Sequence, residues 1–273
     1  MTESPVESSR SFYKFGERVL IEEDQYHEFK AHKDLSIEDI SQVCKDHHSR
    51  QSISRTICAF LNTGKGGIVY MGILDSGVVN GLHLTKYQKD HILLSLENVL
   101  TRYDPPVAKH MYSLRFIPVI PEGATTLPPQ PQSRETEVNG MDRQRPHEVQ
   151  SSRYCWCDNE ASAQISVGGQ VGKYVVEVEV FPWSSSDPRN KPLNTTKMGI
   201  HPMFENEEGI CFIRRQGSNI RCTMQDVIDM TRQEVKAYYS LPPEMRKPLR
   251  VPTVPPPQVT HIKMRRLRYH LLT

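Results

Sequence analysis

The sequence predicts an α+β fold: a mixed β-sheet flanked by helices in a single lobe, interrupted by a disordered insertion. Three observations predict it. Short β-rich runs such as GIVYMGIL alternate with segments of helical apolar spacing. With 20 prolines in 273 residues and a mean hydropathy of -0.54, part of the chain lies outside any core. A polar, proline-rich stretch then separates two regions of regular pattern. The boundaries that follow are a flexible tail 1–12, a folded lobe 13–120 and 165–240, an insertion 121–164, and a proline-rich basic tail 241–273.

The elements follow in order. FYKFGERVLI and HEFKA read as extended segments separated by the acidic turn Glu22-Glu23-Asp24. Ser36 is placed to cap a helix, with Glu38 and Asp39 in its first turn, where the helix dipole favours anions. From Ser52 to Leu61, residues Ile53, Ile57, Phe60 and Leu61 recur at helical spacing, so this helix buries one face and ends at Asn62-Thr63-Gly64. Gly66-Gly67 launches IVYMGIL, apolar on both faces as a central strand requires, with Asp75 at its polar end and a turn at Ser76-Gly77. Thr85 caps a helix running to about Tyr103, with Ile92, Leu93, Leu96, Val99 and Leu100 on its apolar side, and Asp104-Pro105-Pro106 stops it. MYSLRFIPVI is a further strand. The stretch from Pro121 to about Ala163 has too little apolar content to offset the entropy of ordering. After it come the strand KYVVEVEVF, broken by Pro182-Trp183, the strand CFIRR, a turn at Gln216-Gly217-Ser218-Asn219, and a helix from about Thr223.

Charge excludes a globally polycationic protein, since 34 Lys and Arg face 32 Asp and Glu; any basic surface is local. MTESPVESSR lacks the basic start and apolar stretch of a signal peptide, and no apolar run reaches the roughly 20 residues of a membrane span, so the expected location is cytoplasmic or nuclear. Cys44, Cys58, Cys211 and Cys222 stand singly in amphipathic or apolar segments as free core filling. Cys155 and Cys157 form a lone CxC in a polar linker, and His147 does not complete a spacing typical of zinc, so the pair reads as linker.

Three acids carry the functional information. Glu23 falls in a turn, Glu28 on the strand after it, and Asp75 at the end of a neighbouring strand; Lys30 shares the Glu28 face because side chains repeat with period two. Converging carboxylates repel unless a cation neutralises them, which makes a hard oxygen site for Mg²⁺ or Mn²⁺ with a cation beside it, suited to phosphodiester hydrolysis. Arg214, Arg215 and Lys173 are candidate phosphate contacts, with Lys65 and Lys86 adding to a basic lining. Arg214 and Arg215 are adjacent on a strand, so at most one faces a given groove. His27 and His32, flanking the glutamate strand, read as surface or packing residues.

The order acidic turn, EFK, helix, AFLNTGKGGIVYMGILD and, much later, ENEEGICFIRRQGSNIR resembles the AlbA_2-type core of the Schlafen family, over roughly 13–120 and 165–233. The resemblance implies a metal-dependent endoribonuclease cutting tRNA or other structured or small RNA, with Glu23, Glu28 and Asp75 as metal ligands; beside them, the Lys30 ammonium is placed to neutralise transition-state charge. Many Schlafen cores have two lobes around a U-shaped groove, so a single lobe implies a homodimer or a second Schlafen-like subunit. Where family members place paired cysteines after the strand matching KYVVEVEVF, this chain has Pro182-Trp183-Ser184, which argues against a structural zinc. Two other readings are a non-catalytic nucleic-acid-binding scaffold and an ATP-binding regulatory protein. The glycines of TGKGG suggest the latter, but they lack the GxxxxGK[ST] spacing and suit a tight helix-to-strand turn.

Overall fold

The computed structural model describes residues 10–47, 49–124, 126, 145–151, 154–169, 171–193 and 202–246. Residues 1–9, 127–144 and 247–273, on which most of the tail and insertion expectations fall, lie outside the described residues. The strands are β1 (Tyr13–Lys14), β2 (His27–Lys30), β3 (Gly67–Met71), β4 (Leu82–His83), β5 (Tyr112–Ile120), β6 (Lys173–Val180), β7 (Phe212–Arg215) and β8 (Ser218–Arg221). The helices are α1 (Gln42–Asp46), α2 (Ile53–Thr63), α3 (Lys86–Thr101), α4 (Trp156–Ser166) and α5 (Met224–Ser240).

Six strands form a mixed sheet in the order β1-β5-β6-β3-β2, with β4 also paired to β6. The valine-rich β6 is its centre, antiparallel to β5 on one side and to β3 on the other. β2 and β3 are parallel, with Glu28 opposite Val69 and Lys30 opposite Met71. That pairing requires a crossover, supplied by residues 31–66 with α1 and α2.

The two faces of the sheet bury different clusters. Val69, Met71, Val176, Val178 and Val180 pack with Ile53, Ile57 and Phe60 of α2 and Ile92, Leu96, Val99 and Leu100 of α3. On the other face Phe29, Tyr70 and Val175 meet Tyr13, Val19, Ile117 and Val119. A fully buried aromatic such as Phe60 contributes about 1.5–3 kcal/mol by leaving water. Paired residues share a face, so Glu28 and Lys30 stand on the helix-covered side at the β2 edge.

The α2 helix carries the β7–β8 hairpin. Its buried Asn62 donates to the carbonyls of Phe204 (2.9 Å) and Phe212 (2.8 Å) and accepts from the Phe204 N–H (2.7 Å). Its first amides are satisfied by the loop after β2, through Ile53 to the Asp34 carbonyl (3.1 Å) and Ser54 to the Leu35 carbonyl (2.9 Å).

Three elements differ from expectation. No helix starts at Ser36: Ser36–Ile40 is a turn in which Asp39 accepts from the Ser36 N–H (2.8 Å), Glu38 grips Arg102 in a two-pronged pair (2.9 and 3.1 Å), and Ser41 caps α1 instead. The acids satisfy tertiary partners rather than a helix dipole. The segment 218–221, expected as turn and approach to a helix, is strand β8, because Gln216-Gly217 alone makes the hairpin turn and Gln216 takes the left-handed φ of 54°. And α4 occupies Trp156–Ser166, all but its last two residues inside the stretch expected to be unstructured to 164. Its anchors are few: Cys155, Cys157 and Ala161 are buried, and Trp156 meets Tyr87 edge-on at 5.3 Å.

Candidate metal and nucleic-acid site

Glu23, Glu28, Lys30 and Asp75 lie within electrostatic reach of one another. Asp24 shapes the turn before β2: its carboxylate accepts from the N–H groups of Tyr26 (2.7 Å) and His27 (2.8 Å). Glu23 reaches back along the strand, one oxygen accepting from the Phe29 N–H at 2.9 Å. Glu28 is 5% exposed and ion-paired to Lys30. Asp75 occupies the tip of a tight turn closed by Gly77 N–H to the Leu74 carbonyl (2.7 Å) and Leu74 N–H to the Val78 carbonyl (3.0 Å). The bend that leads there needs Gly72, whose φ is +101° and whose absent Cβ would lie 3.1 Å from the Cα of Gly81.

These groups come from three segments and sense one another. Burial, then the Glu28 and Asp75 charges, hold the Glu23 carboxyl above its ordinary pKa, while the Phe29 N–H and Lys30 work in the opposite direction. Glu28, Lys30 and Asp75 line an open cleft of about 540 Å³ together with His32, Arg50, Gln51 and the hairpin residues Gly217, Ser218 and Asn219. Burial keeps His32 below its ordinary pKa, although Asp34 pulls it up.

Arg214 holds this arrangement from behind. Its side chain is 0% exposed, and it donates to the Asp24 carbonyl (2.9 Å), the His27 carbonyl (3.0 Å) and Asn219 Oδ1 (2.9 Å). Its Nη2 also lies 2.5 Å from Glu28 Oε2, an ion pair off the hydrogen-bond direction, so that this buried oxygen has no directional donor. The expected phosphate contact at Arg214 is therefore corrected: every guanidinium nitrogen already has a protein acceptor, and the residue is a positioning cation. Arg215 points the other way and is exposed, 3.9 Å from Asp226, as the period-two argument requires.

The remaining cations are dispersed. Lys65 precedes β3 and so lies at the end of that strand opposite Asp75. Lys173 is at the Asp75 end of the sheet, but its ammonium sits 3.9 Å from the centre of the Phe15 ring; Lys86 at the start of α3 lies over Tyr87 at 5.0 Å. His27 stacks on Tyr70 and pairs with Asp24, the packing role expected of it. Sequence reasoning missed Asp24, Arg50 and Asn219; an Asp three residues before the end of a turn was the one available signal.

A family model described as "Schlafen, AlbA_2" matches residues 23–223. The chain belongs to the Schlafen AlbA_2 family. The match begins at Glu23, spans both the carboxylate cleft and the β7–β8 hairpin, and gives this Schlafen core a nucleic-acid-related function. No helix among the described residues is long and apolar enough to cross a membrane.

The donor set suits a hard divalent cation in kind: carboxylate oxygens alone, a buried Glu28 oxygen without a directional donor, and a Glu23 carboxyl whose ionisation is disfavoured by partial burial and then by neighbouring negative charge. It is not gathered to chelating separation. Among the described residues, the one group of His, Cys, Asp or Glu side chains close enough to share an ion is His91, His147, Cys155 and Cys157. Glu23 and Asp75 are exposed side chains, and Glu23 is held by its contact with the Phe29 N–H. The linker reading of Cys155 and Cys157 is likewise corrected, since they are 1% and 0% exposed. After β6, where Pro182-Trp183-Ser184 stands, the chain is held by Asn190, which donates to the Ser184 carbonyl (2.8 Å) and meets His110 Nε2 (2.6 Å).

Proposed function

We propose that this Schlafen core is a divalent-metal-dependent endoribonuclease acting on tRNA or other structured or small RNA at the cleft of Glu23, Glu28 and Asp75. The observation that carries this reading is that Glu28, Lys30 and Asp75, delivered by separate segments, line one open cleft, and Glu23 beside them senses the charge of all three. Mg²⁺ or Mn²⁺ held by Glu23, Glu28 and Asp75 would polarise a phosphate oxygen and acidify a water molecule. Lys30, on the Glu28 face, offsets negative charge developing on the scissile phosphate. Arg214 keeps Glu28 and the Glu23 turn in register. Arg50, half-exposed on the cleft wall, and Arg215 on the hairpin are the phosphate-facing cations, with Lys65, Lys86 and Lys173 further out.

One lobe lines one side of an RNA duplex, so the reading includes a second lobe, from another copy of this chain or from a Schlafen-like subunit. No α5 residue is fully buried, and this reading sets the partner against the exposed face of that helix. The TGKGG glycines need no nucleotide to account for them: Gly64 caps α2 in the left-handed region, and a Cβ on Gly66 would collide with the Val180 carbonyl. A second reading, a non-catalytic RNA-binding scaffold, is favoured by one observation: Glu28 is already paired to Lys30 and Arg214.

Cleavage of a mixed tRNA and small-RNA pool with Mn²⁺ separates the two. The nuclease reading expects cutting abolished by EDTA and lowered on the order of 100-fold in Asp75→Asn and Glu23→Gln, both exposed positions that leave the fold intact. Intact RNA that is nevertheless bound, with the same affinity in both variants, supports the scaffold.

A further inference from the structure

The four ligand atoms outside the acidic cleft are the strongest unassigned chemistry in the molecule. His91 projects from α3, His147 comes from the segment 145–151, Cys155 precedes α4 and Cys157 lies in its first turn. One ligand atom from each lies within 4.8 Å of all the others. Cys155 Sγ is 3.6 Å from His147 Nδ1, and Cys157 Sγ is 3.7 Å from His91 Nδ1. Zinc bonds of about 2.3 Å to sulfur and about 2.0–2.1 Å to nitrogen require tetrahedral edges of about 3.3–3.8 Å. Both contacts fall inside that range.

We propose that His91, His147, Cys155 and Cys157 form a structural Cys₂His₂ zinc site that fastens α4 and the chain before it to α3. Two thiolates and two imidazoles in a tetrahedron select zinc over the hard cations suited to the acidic cleft. All four positions belong to protein, so none is left for water or substrate, which is the mark of a structural rather than a catalytic centre.

The surroundings already orient the ligands. The His147 ring stacks on Trp156 at 4.8 Å with planes 19° apart, which fixes its direction. Asp158, next to Cys157, accepts from Lys33 Nζ and Gln88 Nε2, each at 2.7 Å, and from the Cys155 N–H at 3.3 Å. These contacts bring the start of α4 onto α3 without the metal, so the ion closes a nearly formed site. The location is distinct from the stretch after β6, where Pro182, Trp183 and Ser184 offer no comparable set. Few apolar side chains of α4 are buried, so a metal clamp supplies what a small core does not.

The test uses the full chain, purified under reducing conditions without a metal-binding tag. Elemental analysis is expected to find about one zinc per chain. The cobalt-substituted protein is expected to show strong visible bands of tetrahedral Co²⁺ and near-ultraviolet thiolate-to-cobalt charge transfer. Both signals are expected to fall by more than about tenfold in Cys157→Ser and in His91→Ala, and to persist in Cys44→Ser and Cys222→Ser. Should Cys157→Ser not fold, His147→Ala and the wild-type cobalt spectrum decide. A metal-free protein, a cobalt spectrum with only the weak bands of an all-oxygen site, or charge transfer unchanged in the His91 and Cys157 variants would overturn the proposal.

Discussion

The carboxylate cleft and the His/Cys cluster are opposite solutions to holding polar groups together. In the cleft, Asp75 is exposed and Glu23 partly so, water shares the cost of their charge, and Lys30 and Arg214 offset that of the buried Glu28. In the cluster the cysteines are sealed from water, each sulfur lies 3.6–3.7 Å from a histidine nitrogen, and all four ligand atoms lie within 4.8 Å of one another. An open acidic set has room to reorganise, whereas a closed thiol–imidazole set does not. The difference teaches that a polar group left at the surface relies on water and nearby cations, and one sealed in the fold relies on its immediate neighbours.

The largest expected effect tests whether the cleft is pre-organised. Arg214→Ala leaves Glu28 buried beside a lost partner and frees the Asp24 turn, and is expected to cost about 3–5 kcal/mol in urea denaturation. Arg214→Lys should recover only part of this, because an ammonium cannot span four acceptors. A loss below about 0.5 kcal/mol, the level of an ordinary surface change, would remove Arg214 from its positioning role.

A smaller effect probes the fastening. Asp158→Ala cuts contacts to Lys33, Gln88 and the Cys155 N–H and should cost about 1–3 kcal/mol, with faster protease cleavage near α4 than at α2. Equal protection of both helices would show that α4 does not depend on this anchor.

The smallest effect is a pH signature of the acidic cleft. Because the Glu23 pKa is raised in the folded state, the native protein holds this proton more tightly than the unfolded chain. Its contribution is fully present below the ordinary value of 4.5 and is lost as pH rises through the raised value. Glu23→Gln should therefore gain stability relative to wild type as pH climbs from acid toward neutrality, and saturating Mn²⁺ should narrow that gap. Parallel stability curves at all pH values would mean that Glu23 does not sense its neighbours.

Much of the lobe was legible because it is written in short-range patterns. The α2 stripe Ile53, Ile57, Phe60 and Leu61, the Thr85 cap of α3 and the apolar β3 run each declare themselves within one element, as do Glu28 and Lys30 on one strand face. The failures at Ser36, β8 and α4 are places where distant partners won: Arg102 took Glu38, α2 took Asn219 through Thr56, and α3 took Asp158.

By itself, then, the sequence determined α2, the β3 run, the capped α3, the shared face of Glu28 and Lys30 and the Schlafen resemblance, since periodicity and turn chemistry act over a few residues. Only the tertiary structure decided that Arg214 turns inward while Arg215 turns out, and that His91 meets a CxC 64 residues downstream of it. Side-chain direction across a crossover and the closure of long loops depend on packing between elements, and no local pattern encodes them.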